Sequence, residues 1–257
     1  MRTNGVTVSA KQSNEGSDVK YWLQYSLGST NQARSLTQVN QNGSKVVTEV
    51  LGATDYDYTR YAEIETAQTD EQGNPIDVSS IENTWAKTTE GGNSLLAESA
   101  LGLTLPLGAL PVPVGNLSPE KRDTLMQFID KKGVYNVDYS NVETKRTNGR
   151  LQYIYDVQID MILYADLLKQ FAKSVGLHNL DQLDPNNYAG SQPISLKMTV
   201  DVRSKHLTAV DVKVSDELTY NYSYGSYDVP VNNQIPQNTI SEAELQQRVG
   251  ELSANEQ

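Results

Sequence analysis

From Leu151 to Leu163 the chain alternates side chain by side chain. Leu151, Tyr153, Tyr155, Val157, Ile159, Met161 and Leu163 fall on one face, with Gln152, Asp156, Gln158 and Asp160 on the other. Period two sustained this far specifies a strand in a sheet with one dry and one wet face. The pattern recurs in Val19, Tyr21, Leu23, Tyr25 and Leu27, and in Ile194, Leu196, Met198, Val200 and Val202. It returns in Val210, Val212 and Val214, and again in Leu218, Tyr220, Tyr222 and Tyr224. Asn42-Gly43 and Asn148-Gly149 are hairpin turns by composition. Shorter runs at 36–40, 46–51 and 56–64, with 81–88 around Trp85 and 134–145, extend the set of predicted strands. Long strands joined this way twist and curl.

Helical signals are few. Ser118-Pro119-Glu120 caps and opens a helix whose apolar stripe is Leu125, Phe128 and Ile129 and whose stop is Gly133. Residues 166–175 place Leu167, Leu168, Phe171 and Val175 on one side before Gly176. Ser241-Glu242-Ala243-Glu244 is a capping box for a last helix through Leu245 and Val249. The predicted fold class is α+β: an antiparallel β half-barrel wrapped around helices at 118–131, 166–175 and 241–249. It forms one domain over 18–250, with a flexible arm or short edge strand at 1–17 and a disordered tail at 251–257.

One segment departs from the polar background. Leu95 to Leu117 carries a single charge, Glu98, and is rich in Leu, Val, Ala and Pro. Pro106, Pro111, Pro113 and its glycines break any helix before about 20 residues accumulate, so it does not span a bilayer as a helix. A short helix over 94–101 is the most it predicts. It reads either as a buried core segment or as a greasy lid over a cavity.

Charge and composition exclude several functions. With 32 acidic against 21 basic residues the net charge is −11, which removes the electrostatic drive for nucleic acid. Cysteine is absent, so thiol chemistry, disulfides and sulfur-ligated metals are excluded. No charged region followed by an apolar one opens the chain, and Met1 to Gly5 reads as a start behind a removed leader. Fifteen tyrosines suit strands with wet edges, and the whole reads as a secreted or envelope-facing bacterial protein. His178, past a helix stop, and His206, in a turn, lack the context of a nucleophile elbow or a zinc helix. Asp55, Asp57, Asp70 and Glu71 lack the calcium-loop spacing. No cofactor is predicted.

The order of the second half resembles a known family. A long strand runs into a helix (Tyr153 to Val175), and the acidic-proline loop Asp181-Gln182-Leu183-Asp184-Pro185 follows. A strand pair turns at Arg203-Ser204-Lys205-His206. The closing strand carries Tyr220-Asn221-Tyr222-Ser223-Tyr224-Gly225-Ser226-Tyr227, and Val231 to Pro236 leads to the last helix. This resembles the Lol-type lipoprotein carrier superfamily of bacterial envelope proteins, which includes mycobacterial-type lipoproteins carrying acylated lipids. The likeness covers roughly the last hundred residues well and the first half by strand order. It implies a half-barrel with an apolar cavity that in some members holds acyl chains. It also implies an extracytoplasmic location, anchored through a segment ahead of this sequence, since members carry a lipidated cysteine there and this chain has none.

The candidate ligand-binding residues follow from the alternation and the greasy segment. Leu103, Leu105, Leu107, Leu110, Val112 and Val114 supply the apolar area of a lid. Tyr153, Tyr155, Val157, Ile159 and Met161 form a cavity wall, unless they pack on the helices alone. Arg60, on a predicted face with Tyr56, Tyr58, Ala62 and Ile64, sets a charge at the mouth or else lies at a sheet edge. The expected function is non-catalytic binding or carriage of a lipid, acyl chain or lipidated protein at the cell envelope. The alternative is a structural or interaction module with a self-filled core and an envelope protein as partner.

Overall fold

Two Asn-Gly turns show how directly local chemistry sets this sheet. Asn42 and Gly43 take φ of 50° and 80°, and Asn148 and Gly149 take 49° and 77°. Positive φ at both central residues matches the twist of the flanking strands, and Gly bears it without a Cβ penalty. The computed structural model describes residues 5–14, 17–26, 31–53, 56–69, 72–88, 111–112, 114, 117–177, 180–181, 183–213, 219–229, 231 and 233–254.

The first five strands are β1 (Val6–Asn14), β2 (Ser17–Ser26), β3 (Gln32–Gln41), β4 (Ser44–Gly52) and β5 (Asp57–Glu65). The two-residue β6 (Ala86–Lys87) follows. Helix α1 (Pro119–Lys132) leads to the hairpin β7 (Tyr135–Thr147) and β8 (Arg150–Ile159), then to helix α2 (Met161–Val175). After a 3-10 turn at Pro185–Tyr188 come β9 (Ile194–Asp201), β10 (Leu207–Lys213), β11 (Thr219–Gly225), β12 (Ile240–Ser241) and helix α3 (Glu242–Ala254). The described strands form one twelve-stranded open sheet, ordered β12-β6-β5-β4-β3-β2-β1-β11-β10-β9-β8-β7. All neighbours are antiparallel except β12 and β6. This is the α+β half-barrel, an uncloseted sheet curled over helices.

Several local expectations are corrected. From Val6 to Asn14 the expected arm is a strand in the middle of the sheet, between β2 and β11, with Val6 and Val8 fully buried. It forms a hairpin with β2, but its other partner, β11, lies more than 200 residues along the chain, so local sequence did not announce its central place. Strand β8 stops at Ile159, because Asp160 turns and caps α2, its carboxylate accepting from the Leu163 N–H at 3.0 Å. Met161 and Leu163 therefore belong to a helix that starts five residues earlier than predicted. Residues 81–88 contribute only β6, and Glu251 to Ala254 are helical. The helix expected at 94–101 and most of the greasy segment lie outside the described residues.

Helix α2 organises the interior. It follows Ile159 at one end of the strands, and its Val175 carbonyl accepts at 2.6 Å from Asn31, just before β3 at the other end. Fifteen residues give about 22 Å, enough to cross the concave face on a diagonal. Tyr164, Leu167, Leu168 and Phe171 are buried against Val6, Val8, Leu23, Tyr25, Val157 and Ile159, each large apolar side chain contributing about 2 kcal/mol. Helix α1 lies on α2, with Lys121 Nζ bonded to the Ser174 carbonyl at 2.8 Å. A second, smaller core joins α3 to the far end of the sheet through Ile81, Ala86 and Leu245, with Tyr61 and Ile64 beside them.

Candidate ligand-binding face

The strand register sorts the inner face into rows. One runs Tyr155, Met198, Val210, Tyr222, Ala10, Tyr21 across β8, β9, β10, β11, β1 and β2. A neighbouring row begins Tyr153, Val200, Leu207. Because α2 crosses diagonally, it covers Val157 (2% exposed) and Ile159 (0%) but leaves Tyr153, Tyr155, Met198 and Val200 only partly buried. This corner, which α2 leaves half-buried, is apolar and ringed by aromatics. Tyr153 and Tyr155 meet edge-on at 6.2 Å, and Tyr155 meets Tyr139, 76% exposed, at 6.3 Å.

Beside those residues lies a hollow of about 450 Å³ lined by Pro111, Met198, Val200, Leu207, His206 and Tyr227, with Ser204 and Lys205 at its rim. Its size is within the ordinary range for small-molecule sites. Pro111 brings the end of the greasy segment to its wall. His206 stacks on Tyr227 with ring centres 4.1 Å apart, and the Tyr227 hydroxyl donates to the Leu207 carbonyl. Burial raises the Tyr227 hydroxyl well above its usual range. Lys205, Ser226 and Asp228 sit at positive φ in the two turns flanking the hollow, a conformation that costs non-glycine residues energy.

The sequence-predicted residues divide accordingly. Tyr153 and Tyr155 sit at the half-buried corner, paired with Val200 and Met198 of the hollow. Val157 and Ile159 lie beneath α2, and Met161 is in its first turn. Val112 and Val114 are buried in the main core, whereas Leu103, Leu105, Leu107 and Leu110 lie outside the described residues. Arg60 is at the other end of the sheet. A bulge leaves Ala62 unpaired, so Arg60 shares its face with Glu63 and Glu49 rather than with Ile64. It ion-pairs with buried Glu49 at 2.6 Å, stacks over Trp85 at 4.7 Å and bonds Asn83 at 3.2 Å. Arg34 holds the other Glu49 oxygen at 2.6 Å.

Residues the sequence did not single out are Pro111, His206, Leu207 and Tyr227. Met198 and Val200 stood in a predicted inward set, and Tyr227 stood in the closing motif, but only the diagonal of α2 reveals which inward positions stay half-buried. A larger hollow, about 860 Å³, lies on the outer face among Asn136, Asp156, Gln158, Lys197, Asp211 and Asn221. Its charges compensate one another: Lys197 bonds Glu143 at 2.7 Å and lies 3.4 Å from Asp156. Burial raises the Asp211 carboxyl, and nearby Lys145 and Lys197 oppose that. Among the described residues no three His, Asp or Glu side chains gather as a metal site, and no helix is long and apolar enough to cross a membrane.

The class defined by these features is an α+β half-barrel whose curled sheet holds a diagonal helix that leaves one apolar corner half-buried. No family model matches the chain, and no curated protein matches it. Among solved structures, it is similar to the Mycobacterium tuberculosis lipoprotein LppX, at 11% identity and a TM-score of 0.36, over 90% of this chain and 89% of that one. A porin-like protein from Bacteroides uniformis is similar at 8% identity and a TM-score of 0.25, over 87% of this chain and 96% of that one.

Proposed function

We propose that this protein binds a lipid or acyl chain without catalysing a reaction, and carries it at the bacterial cell envelope. The observation that supports this is the half-buried apolar corner, where Tyr153, Tyr155, Met198 and Val200 adjoin a hollow walled by Leu207 and Pro111. Each methylene moved from water into such a site contributes about 0.8 kcal/mol, so a chain of about a dozen carbons is held without polar contacts. Binding of this kind is tuned by shape and length rather than by charge.

Native mass spectrometry of protein purified without detergent tests the reading. A reproducible stoichiometric lipid is the expected result, and Val200→Asp reduces its occupancy at least fivefold while the fold is retained. Protein that emerges with no lipid, and takes none from vesicles, refutes carriage. A second reading, an envelope interaction module, draws on the exposed Tyr139 of β7, the long strand at the sheet's free edge. Under that reading Tyr139→Ser abolishes capture of an envelope protein, and Val200→Asp does not.

A further inference from the structure

Resting on the lipid-binding reading, the geometry points to a polar docking position inside the sheet: we infer that the hydroxyls of Tyr222 and Tyr224 receive the uncharged head of the bound molecule, an ester carbonyl or an alcohol. Both tyrosines are on the inner face of β11 and are nine-tenths buried or more, at 2% and 7% exposed. Neither hydroxyl has a hydrogen-bond partner among the described residues. A buried hydroxyl left unmatched costs about 1–3 kcal/mol, so native proteins rarely keep two side by side without use.

The register shows what surrounds the two hydroxyls. Tyr222 pairs with Ala10, and Ala10 pairs in turn with Tyr21, so a small residue on β1 separates two rings on the strands that flank it. Tyr224 stands one step along the strand beside Val8. Its electrostatic neighbours are other tyrosines, Tyr25, Tyr227, Tyr164 and Tyr222. Tyr227 belongs both to this cluster and to the wall of the apolar hollow, which links Tyr224, and through it Tyr222, to the proposed chain site.

The chemistry selects the head group. A phenol hydroxyl both donates and accepts, which suits a carbonyl or an alcohol. A phosphate or carboxylate brought here would lose its hydration among tyrosines, and the neighbouring hollow offers it only Lys205, at its rim. The position therefore favours uncharged lipids over anionic ones of equal chain length.

Three probes offered from neutral vesicles test this: dioleoylglycerol, dioleoyl phosphatidic acid and squalene. Wild-type protein binds dioleoylglycerol at least about tenfold more tightly than phosphatidic acid. The double variant Tyr222→Phe/Tyr224→Phe keeps both rings; it loses about five- to tenfold on dioleoylglycerol, as expected for one to two hydrogen bonds, and stays within about twofold on squalene. Its melting temperature without lipid is equal to or above that of the wild type, because an unmatched hydroxyl has been removed; a drop of several degrees means the hydroxyls are structural and overturns the inference. Unchanged dioleoylglycerol binding by the variant, or a preference for phosphatidic acid, also overturns it while leaving chain binding intact. Failure of the wild type to bind squalene and dioleoylglycerol alike overturns both this inference and the carrier reading.

Discussion

Alkaline pH should unfold this protein through its interior. Tyr25 and Tyr164 are 1% exposed and Tyr224 is 7% exposed, and burial holds all three hydroxyls neutral well above the usual tyrosine range. In the unfolded chain the same groups ionise near pH 10. The folded state thus keeps protons that the unfolded state releases, so stability is unaffected by these groups below about pH 10 and falls as pH rises above it. Each contributes about 1.4 kcal/mol per pH unit, and the three together about 4. Against a typical stability of about 5–15 kcal/mol, unfolding comes within roughly one to four units above pH 10. The assay is phenolate absorbance recorded with circular dichroism at equilibrium. Expected is a cooperative step in which late phenolates and loss of sheet signal coincide, with a shallower pH slope for Tyr25→Phe. Gradual phenolate formation with the sheet intact would refute the reasoning.

Two further predictions concern positions remote from the hollow. Glu49→Gln removes the buried carboxylate that Arg34 and Arg60 share and leaves two partly exposed guanidinium groups without it; urea denaturation should show a loss of about 1–2 kcal/mol, with a change below about 0.5 kcal/mol refuting the role. Gly5→Ala places a Cβ 2.5 Å from the Val229 carbonyl oxygen, a backbone atom, so the segment after β11 must shift. The expected cost is about 1–3 kcal/mol, read as a lower melting temperature with lipid binding retained.

Much of this architecture was legible because its cues are local. Asn42-Gly43 and Asn148-Gly149 announce their hairpins, Ser118-Pro119 announces α1, and the inward sets of β9, β10 and β11 follow from period two alone. The rest depends on distant partners. Val6, Val8 and Ala10 alternate, yet only β11 makes them a central strand. Asp160 reads equally as a wet-face strand residue and as a cap, and Met161 to Leu163 satisfy both periods. Ala62 bulges out of its ladder and changes the company that Arg60 keeps. At the candidate site, inward alternation marks Tyr153 and Tyr155, but which inward positions α2 covers and which it leaves half-buried is set by the diagonal of that helix, which no local pattern encodes.

The place of β1 has a consequence for how the chain reaches its native state. Val8 lies beside Tyr224, more than 200 residues away in sequence. The seam between the two halves of the sheet therefore stays open until nearly the whole polypeptide is present, and closing it carries a large loop entropy. Folding should be slow and should finish late, with the amino-terminal strands waiting for the carboxy-terminal ones. A polypeptide leaving the ribosome, or threaded through a translocation pore, would stay in a pliable form until its last long strand arrives.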